Sequence, residues 1–125
     1  MRVLIVDDDS TTAELTAECL MMDQSVAVLT AGDGATALGT TAEFKPDVIL
    51  LDVELPDVSG LDLAPQLKVA CREHAPRIII FSGSAQQANP QNLPHCVDAW
   101  LTKPAHLDDL LDCIICPAGA KRRPI

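Results

Sequence analysis

At 125 residues the chain fits one domain, long enough to bury a proper core and too short for a second folded module. A formal net charge of -9 argues against a nucleic-acid or anionic-membrane surface, because the only basic cluster, Lys121-Arg122-Arg123, is too small to displace condensed counterions. Five scattered cysteines, an odd number in a chain that opens without a signal sequence, predict reduced thiols and a cytoplasmic setting, and no stretch approaches membrane-spanning length.

Apolar runs recur at Val3 to Val6, Val26 to Leu29, Val48 to Leu51, Ile78 to Phe81 and Ala99 to Leu101, and each is followed by a stretch able to form a helix. Repeated strand-then-helix units predict a parallel sheet. Right-handed crossovers then put helices on both faces, giving an α/β, doubly wound sandwich of about five strands. The first helix is expected to open near Ser10 or Thr11, where Thr11 and Glu14 have capping-box spacing, and to carry Leu15, Cys19 and Met22 inward. The second follows Asp33-Gly34; rich in Thr and Gly, it has poor propensity of its own and must lean on the sheet. The third carries Leu63, Leu67, Ala70 and Cys71 at core spacing, and Pro65 inside it requires a late start or a kink.

Between Gly83 and Leu93 the pattern fails. Ala85 and Ala88 are the only apolar residues there, and Pro90 and Pro94 interrupt, so a fourth helix is expected to be short and weakly held. The fifth sets Leu107, Leu110, Leu111, Ile114 and Ile115 on one face and Asp108, Asp109 and Asp112 toward water. Cys113 and Cys116 have the spacing of a redox or zinc pair, but with no second ligand pair they read as packing residues of this helix. The domain is therefore drawn over residues 1–118, with 119–125 a frayed tail.

The chemistry collects after the strands. Val48-Ile49-Leu50-Leu51-Asp52, followed by the turn formers Val53 to Gly60, reads as a strand covered on both faces that delivers one acid to the carboxyl edge, where open α/β sheets bind ligands. Alone, Asp52 is equally well a helix cap or a turn acid. Asp7-Asp8-Asp9 follows the first strand, however, Ser82 the fourth and Lys103-Pro104 the fifth. Crowded carboxylates repel unless a cation sits among them, and Mg2+ suits such a set because it accepts a few carboxylates and keeps positions for water and phosphate oxygens. Ser82 can donate to a phosphoryl oxygen and Lys103 can neutralise another, which makes a set of parts for phosphoryl transfer onto a carboxylate. Taken singly, each has a plain explanation: loop and cap acids, a turn hydroxyl, a solvated ammonium.

Val6-Asp7-Asp8-Asp9, then Leu51-Asp52 with Pro56 and Gly60, then Phe81-Ser82-Gly83-Ser84-Ala85, then Trp100-Leu101-Thr102-Lys103-Pro104 form an ordered set over about residues 2–116 that resembles the receiver domain of the bacterial two-component response regulators. The resemblance implies a (βα)5 fold of flavodoxin-like strand order 2-1-3-4-5. It implies that Asp52 is the phosphoacceptor and that Asp8 and the backbone carbonyl of Glu54 join it on Mg2+, with Asp7 contributing mainly through water. It further implies Ser82 as the hydroxyl that moves toward the phosphoryl group, Trp100 as the aromatic switch, and Lys103 as the ion-pairing cation ahead of a cis peptide to Pro104. The sequence departs from the family's commoner residues at Leu55, Trp100, Ala105 and His95-Cys96-Val97, the last standing where a glycine-alanine step is usual.

On this reading the chain is a signalling module whose only catalysis is its own phosphorylation and dephosphorylation. Its partners are a sensor histidine kinase or phosphotransfer protein and a downstream protein target or attached effector domain, with homodimerisation through the fourth and fifth helices as a further contact. Two other readings stand beside it. Asp7-Asp8-Asp9-Ser10-Thr11 also fits the D-x-D-x-T pattern of haloacid-dehalogenase-type phosphatases, with Asp7 as nucleophile; the third reading is a degenerate receiver that only binds a partner.

Overall fold

The computed structural model describes residues 1–22, 26–71, 75–82 and 96–102. Five strands, β1 (Arg2–Val6), β2 (Ala27–Ala31), β3 (Val48–Leu51), β4 (Arg77–Ser82) and β5 (Ala99–Thr102), alternate with α1 (Ser10–Met21), α2 (Gly34–Phe44) and α3 (Gly60–Ala70). All the strand pairs are parallel, in the order β2-β1-β3-β4-β5, which is the expected flavodoxin-like arrangement. The expected fourth and fifth helices, the tail 119–125, and Cys113 and Cys116 lie outside the described residues.

The unbroken apolar runs are explained by burial on both faces. Val3, Ile5, Val48, Leu50, Ile79 and Phe81 form one cluster with Ala13, Ala17 and Leu20 of α1. Leu4, Val6, Ile49, Leu51, Ile78 and Ile80 form the other with Ala37 of α2 and Leu63, Ala64 and Leu67 of α3. Alternate residues of one strand thus enter opposite cores, as the period of two requires. β2 is an edge strand and is buried only at Ala31, so its sequence carries a weaker signal than the three central strands.

Helix α1 presents a different face to the sheet from the one its large residues predict. Its buried residues are Ala13, Thr16, Ala17 and Leu20, while Leu15 and Met22 are 58% and 77% exposed and Cys19 is exposed as well. The buried set has i, i+3, i+4, i+7 spacing, and three of its four members, Ala13, Thr16 and Ala17, are small, which lets the helix lie close against the sheet. Its N-cap is Asp9 rather than Thr11: the Asp9 carboxylate accepts from the N–H of Thr11 at 3.1 Å and of Thr12 at 3.3 Å, and from the Thr12 hydroxyl at 2.9 Å.

Helix α2 starts at Gly34 under the N-cap Asp33 and buries Ala37 and Thr41, so it does lean on the sheet. It ends on Lys45 in the left-handed region at φ 52°, with the Lys45 N–H bonded to the Thr41 carbonyl. Helix α3 does not start late. Ser59 caps it, Gly60 opens it, and Pro65 sits on its exposed side, where the missing N–H removes the bond to the Leu61 carbonyl. Leu63, Leu67 and Cys71 are buried as expected, and Ala70 is half-buried. At the amino edge of the sheet Asp98 gathers three elements, its Oδ2 accepting from Lys68 Nζ of α3 at 2.9 Å and from the Ile78 N–H of β4 at 2.8 Å just ahead of β5. Cys96, at the glycine-alanine step of the family pattern, has φ 72°, the backbone region a glycine enters without steric cost.

The two faces of α1 give a direct check. Leu20→Ala should lower the unfolding free energy by about 2–5 kcal/mol, whereas Leu15→Ala should stay within about 0.5 kcal/mol of the parent, both read from urea unfolding.

Candidate functional site

The site is assembled by strand register. Val6 pairs with Ala31 on one side and with Leu51 on the other, so β1 and β3 end level in the middle of the sheet. One residue further, the Asp7 N–H donates to the Ala31 carbonyl and the Asp52 N–H to the Val6 carbonyl, both at 2.9 Å. Two acids on adjacent central strands are therefore held side by side by the backbone ladder itself. Asp8 joins them from the turn into α1, and one carboxylate oxygen from each of Asp7, Asp8 and Asp52 lies within 4.8 Å of the others.

Burial sharpens the electrostatics of this cluster. Asp7 is 4% and Asp52 9% exposed, while Asp8 faces solvent. Carboxylate oxygens within 4.8 Å of one another repel, and a cation among them relieves that repulsion. An all-oxygen, all-carboxylate donor set suits a hard divalent ion. The remaining local contacts orient the acids: Asp7 Oδ1 accepts from the Asp9 N–H at 2.9 Å, and Asp52 Oδ1 faces the Glu54 N–H at 3.4 Å. Asp9 itself is turned to α1 as its cap and stands apart from the three.

The loop from Val53 to Ser59 is tied at both ends. Glu54 and Ser59 form an antiparallel bridge, and the Gly60 N–H donates to the Val53 carbonyl at 2.7 Å. Gly60 packs so closely that a Cβ there would collide with the Asp52 carbonyl, which accounts for a glycine at this position on grounds of space. Mid-loop, Asp57 reaches across to another helix: its Oδ1 accepts from the Gly34 N–H at 2.9 Å and its Oδ2 from the Ala35 N–H at 3.1 Å, at the amino end of α2. The Gly34 N–H holds the Asp57 carboxyl below its ordinary value of 3.8, opposed by desolvation and helped by the N–H of Ala35. Sequence reasoning missed Asp57, because a contact spanning 23 residues leaves no periodic trace and an acid after a proline reads as turn chemistry.

The other expected site residues fall as follows. Ser82 closes β4, opposite Thr102 of β5, and its side chain lies outside what the structure describes. Trp100 is on β5 opposite Ile80, half-buried, and packs on the α2 and α3 side of the sheet. Its indole Nε1 is buried with no hydrogen-bond partner among the described residues, rather than turned to water as a plain edge tryptophan would have it. Lys103, Pro104 and the peptide between them lie outside the described residues.

Comparison with known proteins agrees with this fold. The profile of the response regulator receiver domain matches residues 3–115. The cell cycle transcriptional regulator CtrA of Caulobacter vibrioides is 36% identical over 112 residues, covering 89% of this chain and 47% of that protein, so the chain spans about half the length of the curated relatives it matches. Among solved structures, a response regulator protein from Burkholderia pseudomallei with a phosphorylated aspartic acid, calcium ion and citrate superposes with a TM-score of 0.79 at 28% identity, over 90% of this chain and 65% of that one. TrrA of Thermotoga maritima, in complex with Mg2+ and BeF, gives 0.76 at 25% identity, over 91% and 96%.

The chain belongs to the response regulator receiver domain family. It is a phosphoacceptor signalling module of the two-component type, a component of signalling regulators rather than a classical enzyme. Divalent ions occur in receiver structures similar to it. Among the described residues no helix is long and apolar enough to cross a membrane.

The Asp57 bonds set an acid response. Because the folded-state value lies below the unfolded one, the stability they contribute is present above about pH 3.8 and is lost as pH falls through the lowered folded value. Over that window, urea midpoints of the wild type should fall more steeply with acid than those of Asp57→Asn.

Proposed function

We propose that Asp52 receives the phosphoryl group, with Asp7, Asp8 and the backbone carbonyl of Glu54 holding Mg2+ beside it. The single observation that carries this is the convergence of the Asp7, Asp8 and Asp52 oxygens within 4.8 Å at the carboxyl ends of the two central strands. Asp52 follows β3, whose four residues are all buried, and the loop 53–59 leaves it at the carboxyl edge, which is where a doubly wound sheet carries out its chemistry. Mg2+ would supply charge neutralisation and orientation for the incoming phosphate oxygens.

The chain's own part is positioning. An ionised Asp52 oxygen attacks phosphorus as the phosphorus–nitrogen bond of a phosphohistidine donor breaks, and the leaving imidazole keeps the electron pair. The backbone bond from Asp52 to Val6 and the tied loop hold that oxygen in place. Ser82 donates to a phosphoryl oxygen, Lys103, ahead of a cis peptide to Pro104, pairs with another, and Trp100 reports the change by shifting between two packings. The donor is a sensor histidine kinase or a phosphotransfer protein. The output is a protein contact, made either to a separate target or to an effector domain joined to this one, the latter in keeping with relatives about twice as long. With a net charge of -9 the module itself is not the part that would touch nucleic acid. Residues 1–118 form the module and 119–125 a flexible C-terminal tail.

With Mg2+ and a small phosphodonor such as acetyl phosphate, mass mapping after borohydride trapping should find the acyl phosphate on Asp52 and none in Asp52→Asn. Label on Asp7 instead would sink this assignment in favour of the haloacid-dehalogenase-type reading, and no label on a folded, Mg2+-binding protein would favour the degenerate receiver. Metal should also raise stability. At free Mg2+ about ten times its Kd the gain is about 1.4 kcal/mol, or a few degrees in Tm, and it should vanish in an Asp8→Ala, Asp52→Asn double variant.

A further inference from the structure

Three features outside the acid cluster stand out: the exposed apolar stripe of α1, a groove of about 460 Å³ between α2 and α3 lined by Leu38, Pro65, Val69 and Ala70, and the carboxylate bridge from Asp57 to the amino end of α2. Nothing on the stripe or the groove identifies an occupant. The bridge is different, because both of its ends are defined and one of them is the loop that leaves Asp52.

We infer that Asp57 is a positioning residue: by bonding both Gly34 and Ala35, it fixes the loop 53–59 against α2 and thereby holds the Glu54 carbonyl where the acid cluster can use it. The inference rests on the proposed metal site. Without Asp57 the loop keeps its neck, through the Glu54 to Ser59 bridge and the Gly60 bond, but its tip loses the described bonds to α2. Val58 packs beside the same point, since a Cβ on Gly34 would lie 2.5 Å from Val58 Cγ1, so the loop seats on α2 by contact as well as by hydrogen bonds. The glycine at the first turn of α2 is thus explained by the loop that docks on it rather than by helix propensity. A ligand such as a main-chain carbonyl in a flexible loop contributes less to a metal than the same carbonyl held in place, and removing the groups that orient metal ligands typically weakens binding by about ten to a hundredfold.

Helix α2 offers an internal control. Asp33 also bonds its amino end, accepting from the Thr36 N–H at 2.7 Å, but it has no part in the loop. Asp33→Ala and Asp57→Ala each remove acceptors from the same helix end, and only the second frees the loop. The test is titration of the full chain with MgCl2 alone, followed by amide NMR shifts at a temperature well below each variant's Tm. The Mg2+ concentration for half-saturation should rise about tenfold in Asp57→Ala, rise less in Asp57→Asn, which keeps one acceptor oxygen, and stay at the wild-type value in Asp33→Ala.

An unchanged half-saturation point in both Asp57 variants overturns the inference while leaving the metal site intact. An equal rise in Asp33→Ala overturns it too, because the cause would then be the stability of α2. Should Asp57→Ala not fold, Asp57→Asn against Asp33→Ala decides the matter alone. A wild-type protein that shows no saturable Mg2+ shift overturns the metal site and the inference together.

Discussion

One backbone hydrogen bond organises the chemistry, the donation from the Asp52 N–H to the Val6 carbonyl at 2.9 Å. It extends the ladder between β1 and β3 by a rung beyond their last paired residues, so the first residue after each strand carries its side chain out at the same level. Both residues are acids, and the sheet gives them no freedom to separate. The apolar strands below supply the force that keeps them there, since Val3 to Val6 and Val48 to Leu51 are all 2% exposed or less. Hydrophobic burial thus stabilises an electrostatically unfavourable cluster, and the relief of that repulsion is available to a cation that arrives.

The strands were the most legible part of the chain because they are covered on both faces. A run such as Val48 to Leu51 has no polar interruption, and its end is marked by the first acid. The carboxyl-edge cluster was legible for the same reason: once the strands are placed, the residues after them are placed too. Family membership follows that order of motifs rather than any one of them.

What was not legible has physical causes. In α1 the rule that large apolar residues face inward holds for Leu20 alone, because the rest of the helix approaches the sheet through Ala13, Thr16 and Ala17, leaving Leu15 outside. The cap of α1 was misplaced by two residues because Ser10, Thr11 and Asp9 are all capping types, and only the geometry shows which carboxylate or hydroxyl reaches the free N–H groups. Pro65 argued for a late start of α3 or a kink in it, and the late start is excluded, since Ser59 and Gly60 open the helix where the loop's neck requires it. Asp57 was invisible because its partners belong to a different strand-helix unit.

The close approach of Gly60 to the Asp52 carbonyl bears on how a change at the acid can spread. With Gly60 bonded to Val53 and no room between it and Asp52, the first turn of α3 and the end of β3 form a single stiff joint. The loop between them is a closed ring hung from that joint, not a flap. The ring is thus anchored twice, at its neck by this joint and at Asp57 by the two N–H groups that open α2, so the end of β3 and the start of α2 are mechanically linked through it.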